Sequence, residues 1–165
     1  MKQRKNTKLW LELTVIAASL VSFLMLVYFV IMVSFQDGTQ STEMTIRIAS
    51  YFADRIFDNP TAEQIITVSR VLRYGAHLAL FFAVGAVTSY VSMVVFRSYY
   101  RIGGIILSGA VCYFLAYNTE YYKQFIDGRH FQRSDVVLNW YGSLAGIICM
   151  VVSYFLIRLL VKISS

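Results

Sequence analysis

Cysteine, histidine and proline are nearly absent from this chain, at two, two and one among 165 residues. The two cysteines, Cys112 and Cys149, lie in apolar stretches with no histidine or second thiol nearby in sequence, so neither zinc nor redox spacing is present. Both read as packing residues. Charge is also scarce, at 15% against 58% hydrophobic residues. Most telling is a missing polar face: VIAASLVSFLMLVYFVIMV has none around the helical circumference, which a soluble domain needs to cover its core.

What the chain has instead is four long apolar runs, Trp10 to Val33, Ala76 to Phe96, Ile102 to Asn118 and Val136 to Ile157. Each is close to the roughly 20 residues that cross a hydrocarbon core of about 30 Å, and the third is the shortest. The predicted fold is all-α, a single polytopic membrane domain over 1–165. Spans fall near 10–33, 73–96, 102–119 and 136–158, and outer loops near 34–70 and 120–135. The basic start MKQRKNTK resembles a signal peptide's n-region. The apolar run exceeds a 7 to 15 residue h-region, however, and SFQDGTQ offers no small-x-small cleavage site, so the first run is expected to stay as an anchor.

Acids are missing from three short cationic segments. These are the Lys2, Arg4, Lys5 and Lys8 tail, the Arg97 to Arg101 turn, and the Arg158/Lys162 end, with Glu12 just inside the first span. The two other loops mix Arg47, Arg55, Arg70, Arg73, Lys123, Arg129 and Arg133 with eight acids. The positive-inside rule therefore predicts both termini inside. The net charge of +6 is read as a topology and anionic-lipid signal, not as a nucleic-acid footprint.

The first outer loop has a helical period of its own. Met44, Ile48, Tyr51, Phe52 and Arg55 share one face, and Glu43, Arg47, Ser50 and Asp54 line another, as in an amphipathic helix lying at the outer interface. It either lids what lies beneath or simply packs on the bundle. Asp58-Asn59-Pro60-Thr61 reads as a break before a new helix, with Asn59 as N-cap, Pro60 at the first helical position and Glu63 in the early helix. That helix is expected to run on into the second span.

Polar chemistry gathers at the outer ends of spans two, three and four. Arg73 and His77, four apart, share a face, with Arg70 a turn earlier; Glu120 closes the third span. Asp135, Asn139, Gly142 and Gly146 form one stripe that should face protein, because an ionisable group facing lipid costs roughly 2 to 3 kcal/mol, and the glycines permit close helix approach. Two readings stay open: a satisfied network among His77, Glu120, Arg129 and Asn139, or a ligand pocket formed by Arg73, His77, Glu120, Arg129, Asp135 and Asn139. In a pocket, Arg73 and Arg129 would grip a phosphate or carboxylate. On an enzyme reading His77 acts as acid, base or nucleophile, supported by Glu120 or Asp135. No metal set or cofactor is expected. His130, in a loop beside Phe131, reads as an exposed or interfacial residue and not as a catalyst. Tyr117, Tyr121 and Trp140 read as belt anchors, with stacking on a sugar as the alternative.

These same residues resemble the VanZ-like family of small bacterial membrane proteins, whose founding member is associated with low-level teicoplanin resistance. RYGAHLALF resembles the family's Arg-Lys-x-Ala-His-Phe-x-Glu-Tyr at Arg73, Ala76 and His77, with Tyr74 and Leu80 replacing the lysine and glutamate. TEYYKQFIDGRHFQRSDVVLNWYGSLAG aligns without gaps to a second pattern at Glu120, Phe125, Gly128, Arg129, Asp135, Asn139, Gly142 and Gly146. Thr119, Tyr122, Lys123 and Asp127 depart from its Asp, His, Gln and Pro, removing a histidine and an acid from any inherited catalytic or metal site. The resemblance implies a multi-span bundle in the bacterial cytoplasmic membrane, its polar cluster on the outer side, and a link to glycopeptides or peptidoglycan precursors. The expected function is binding of an anionic lipid-linked cell-wall precursor or a glycopeptide or lipopeptide, with a contribution to glycopeptide resistance. The alternatives are an intramembrane enzyme acting on a lipid-linked phosphate, and a structural or small transport component. The partners expected are membrane lipids, that ligand and a second copy of the chain, with no nucleic acid.

Overall fold

Among the described residues, four of the five helices are long and apolar enough to cross a bilayer, and the fold is all-helical. The computed structural model describes residues 2–35, 38–96 and 100–164; Asp37, Arg97 and Tyr99, and the side chains of Lys2, Arg4, Lys5 and Lys8, lie outside the described residues. The helices are α1 (Lys2–Ser34), α2 (Gly38–Ile56), α3 (Ala62–Val95), α4 (Arg101–Lys123) and α5 (Arg133–Ser164). The candidate spans are Trp10–Ser34 of α1 and the whole of α3, α4 and α5.

The break before α3 differs from the sequence expectation. Thr61, not Asn59, is the N-cap: its hydroxyl accepts from the Gln64 N–H while the Gln64 side chain accepts from the Thr61 N–H, a reciprocal capping box. Asn59 takes a left-handed φ of 56° instead and turns the chain ahead of Pro60. Glu63 does fall in the first turn, and α3 then runs unbroken through the second span. At 34 residues α3 is about 51 Å long, well over the hydrocarbon thickness. Its surplus is the N-terminal third, which carries Glu63, Gln64, Arg70 and Arg73.

α3 is the hub and packs against each of the other four helices, most extensively against α5. That seam is built on glycine. A Cβ on Gly142 would come within 2.7 Å of the Leu78 carbonyl oxygen, and one on Gly146 or Gly85 would overlap the carbonyl oxygen of Phe82 or Ser143. The two backbones thus touch with nothing between them, as small residues permit in lipid, where bulky side chains gain nothing by turning inward. The stripe Asp135, Asn139, Gly142 and Gly146 is buried throughout. A core of Val30, Phe81, Val84, Cys112, Ala116 and Ile147 lies beside this seam.

The apolar residues that fill a soluble core are mostly outside here: Leu156, Leu159, Leu160 and Ile163 on α5 and Leu24, Met25, Tyr28 and Phe29 on α1 are exposed. Cys149 shares that outer surface, so it is not the packing residue its composition implied, whereas Cys112 is fully buried. α2 also buries its small residues and not its large ones. Met44, Ile48, Tyr51 and Phe52 are exposed, and α2 meets α3 with Ala49 and Ala53 buried. At the far end of the bundle, Arg101 and Arg158 lie 5.0 and 5.4 Å from the Tyr154 ring centre, a cation–π pair that joins the start of α4 to the end of α5.

Candidate functional site

α4 continues one turn past the expected end of the third span, and this places Lys123 in the site. Glu120 and Lys123, three residues apart on the last turn, are both buried and paired with each other. A cation in a helix's last turn also complements the carbonyl ends there. The turn that follows is set by Asp127-Gly128: the Arg129 N–H bonds the Ile126 carbonyl at 3.1 Å, with Gly128 at φ 73°, which suits glycine. This turn sends Arg129 back toward α1, where Nη1 donates to the Ser34 carbonyl at 3.3 Å. α5 then opens with Asp135 in its first turn, a position that favours an anion.

The helix ends converge so that three partnerships interlock. Arg73 Nη2 donates to Asp135 Oδ2 at 3.2 Å, His77 Nδ1 lies 2.9 Å from Asn139 Oδ1, and Lys123 donates to Glu120 Oε1. Glu120, Asp135 and Asn139 are each about 1% exposed, while the Arg73 side chain is 48% exposed. Each buried carboxylate keeps one oxygen, Glu120 Oε2 and Asp135 Oδ1, with no hydrogen-bond partner among the described residues. One donor atom from each of His77, Glu120 and Asp135 lies within 4.8 Å of the others. Positions 77, 120 and 135 come from three helices, so no linear spacing announces this grouping.

A cavity of about 330 Å³ opens beside the cluster. Val33 and Ser34 of α1, Ser41, Met44, Thr45 and Ile48 of α2, and Leu72, Ala76, Leu80 and Phe81 of α3 form most of its wall. Arg73, His77, Lys123 and Arg129 also line it, and no acidic residue does among the described residues. Asp135 and Glu120 therefore stand behind Arg73 and Lys123 and hold them. A second cavity of about 350 Å³ shares Ser41, Thr45 and Arg73 and adds the polar groups of Thr42, Ser69, Arg70, Tyr74 and Gln132.

The six expected pocket residues are thus partly divided. Arg73, His77 and Arg129 line the cavity, whereas Asp135 and Asn139 pair with Arg73 and His77 from within, and Glu120 pairs with Lys123. Lys123, expected in the outer loop and not in the pocket, joins the lining, for which a Glu-x-x-Lys pair on a helix end was the available signal, and α2, expected either to lid or to pack, supplies part of the wall. His130 is exposed. Tyr117 stacks on Tyr121 at 6.0 Å, and Phe131 packs edge-on to Tyr117, so these rings use one another. Trp140 pairs with Tyr113 and Tyr141 instead. Comparison with protein-family models, curated proteins and solved structures found no match to this chain.

Proposed function

We propose that this chain is a VanZ-like protein of the bacterial cytoplasmic membrane that binds an anionic lipid-linked ligand, a cell-wall precursor or a lipoglycopeptide, and thereby alters access to it. Both termini lie inside, α2 rests at the outer interface, and the polar cluster opens outward. The observation that carries the reading is the cavity itself, mostly apolar with the hydroxyls of Ser34, Ser41 and Thr45 on its wall, which gathers Arg73, His77, Lys123 and Arg129 and has no acid on its wall among the described residues. An amphiphile with a phosphate head and an isoprenoid chain has the same division. Arg73 and Arg129 can each offer a planar fork of donors to phosphate, which lysine at those places would not. The orientation draws on Arg101 and Arg158 at the opposite end of the bundle from this cluster. The exposed Tyr51 and Phe52 suit a helix seated in the headgroup boundary. The cell-wall assignment itself comes from the motif resemblance at Arg73, His77, Glu120, Arg129 and Asp135.

Calorimetry on nanodisc-embedded protein tests this with polyprenyl phosphate, its sugar-bearing pyrophosphate, neutral polyprenol and teicoplanin. Saturable binding of the phosphorylated lipids and weak binding of polyprenol is the expected pattern; polyprenol bound as tightly as its phosphate would sink it.

A second reading, hydrolysis or transfer at a lipid-linked phosphate, is favoured by the approach of Glu120 and Asp135 to His77. His77 would then carry the proton or attack, with the two acids supporting it. Turnover of a lipid pyrophosphate by wild type and its loss in His77→Ala is the expected result, and persistent turnover in the variant removes His77 from that role.

A further inference from the structure

We infer that His77, Glu120 and Asp135 form a site for one divalent transition-metal ion of the zinc or manganese kind. The argument rests on how each residue divides its donor atoms. Glu120 gives Oε1 to Lys123 and keeps Oε2; Asp135 gives Oδ2 to Arg73 and keeps Oδ1; His77 places Nδ1 against Asn139 Oδ1, leaving Nε2 with its lone pair. Three partners from outside the triad therefore orient it, and each member holds one uncommitted donor. This is the outer-shell pattern of metal sites, in which the nitrogen not bound to metal donates to an oxygen that fixes tautomer and ring plane. Both uncommitted oxygens belong to side chains about 1% exposed, so water does not satisfy them at the surface.

An imidazole and two carboxylates suit zinc or manganese. Calcium wants six to eight oxygens, and magnesium keeps its waters and is seldom caged by protein alone. At bonds of 2.0–2.2 Å, neighbouring ligand atoms in a tetrahedral site stand about 3.4 Å apart. One donor atom of each residue already lies within 4.8 Å of the others, and the site requires side-chain rotations that bring Nε2, Oε2 and Oδ1 to that tetrahedral spacing. Three protein ligands leave one position for a further group, the arrangement of reactive rather than purely structural sites. His77 belongs to both the triad and the cavity wall, so the ion sits beside the cationic end of the cavity. Arg73 and Lys123 already balance the two carboxylates, so a divalent ion brings uncompensated positive charge that a phosphate at that end would neutralise. Metal and phosphate thus strengthen each other's binding, and linkage requires the effect to be equal in both directions. This coupling rests on the lipid-phosphate reading above; the ion site does not.

The competing occupant is a proton shared between the two carboxylates, which predicts no metal uptake. Equilibrium dialysis of purified nanodisc-embedded protein against zinc chloride, with metal counted by mass spectrometry, decides between them. The expected result is one ion per chain, lost in His77→Ala and weakened about 10- to 100-fold in Asn139→Ala, which removes only the orienting acceptor. Electron paramagnetic resonance of the manganese-loaded wild type should show coupling to one ring nitrogen, a readout that does not depend on any variant folding. Wild type that takes up no ion, or His77→Ala that takes up as much as wild type, would overturn the site. Polyprenyl phosphate binding by such a metal-free protein would overturn the site while leaving the lipid reading standing.

Discussion

α3 receives two neighbours in opposite ways. α5 lies on it backbone to backbone, with Gly85, Gly142 and Gly146 leaving no room for even a methyl group. α2 is seated on it through Ala49 and Ala53, and nearer its start, at Ser41, Met44, Thr45 and Ile48, it stands off around a cavity. The first contact fixes distance and register, which aligns Asp135 with Arg73 and Asn139 with His77. The second leaves space at the level where those side chains end. A membrane protein can thus keep its polar groups in place with the tight seam and admit a ligand at the loose one.

Enlarging a residue in the seam should give the largest effect. Gly146→Leu drives a side chain into the Phe82 carbonyl, and misfolding is expected, read as loss of monodisperse protein on size exclusion; normal yield would mean that the seam tolerates separation. Lys123→Met comes next, because it leaves Glu120 buried without its cation, a change worth about 3–5 kcal/mol. Glu120→Gln added to Lys123→Met should restore much of the loss in a denaturation cycle, whereas additive damage would deny the pairing. On the loose side, Ile48→Ser should leave folding unchanged and weaken a long-chain phosphate by about 1 kcal/mol of lost apolar contact. It should not alter binding of a short-chain phosphate, and calorimetry with the two chain lengths tests this. Cys149→Ser, on the outer surface, should shift the unfolding midpoint least, by no more than about 0.5 kcal/mol in stability, and a larger loss would place Cys149 in a contact.

The long apolar helices were legible because a span depends on its own composition and needs no partner to be recognised. The glycine stripe of α5 was legible for a related reason: its period alone puts Asp135, Asn139, Gly142 and Gly146 together. Gly85, across the seam, was not, since one glycine in an apolar run signals nothing until the opposing helix is known. The face that α2 presents to α3 was overlooked because large apolar residues were followed. Of these, Met44 and Ile48 border the cavity and Tyr51 and Phe52 are exposed, while the small Ala49 and Ala53 are buried, so the small residues mark the contact. Lys123 was lost with the end of α4: a span judged by apolarity stops near Asn118, but the helix continues to satisfy its backbone and carries Glu120 and Lys123 inward. Asn59 misled because asparagine serves equally as an N-cap and as a left-handed turn residue, and Thr61 with Gln64 made the better cap. The association of His77 with Glu120 and Asp135 follows from their places at the outer ends of three spans, and the packing adds that one donor atom of each comes within 4.8 Å of the others.

The central claim is that the cationic end of the cavity holds a lipid-linked phosphate, and binding of polyprenyl phosphate to nanodisc-embedded wild type and Arg129→Ala tests it most directly. Losing a charge-assisted contact worth about 1.5–3 kcal/mol predicts saturable wild-type binding that weakens at least tenfold in a variant of unchanged size-exclusion profile. Equal binding by the two proteins, or none by wild type, would contradict the account.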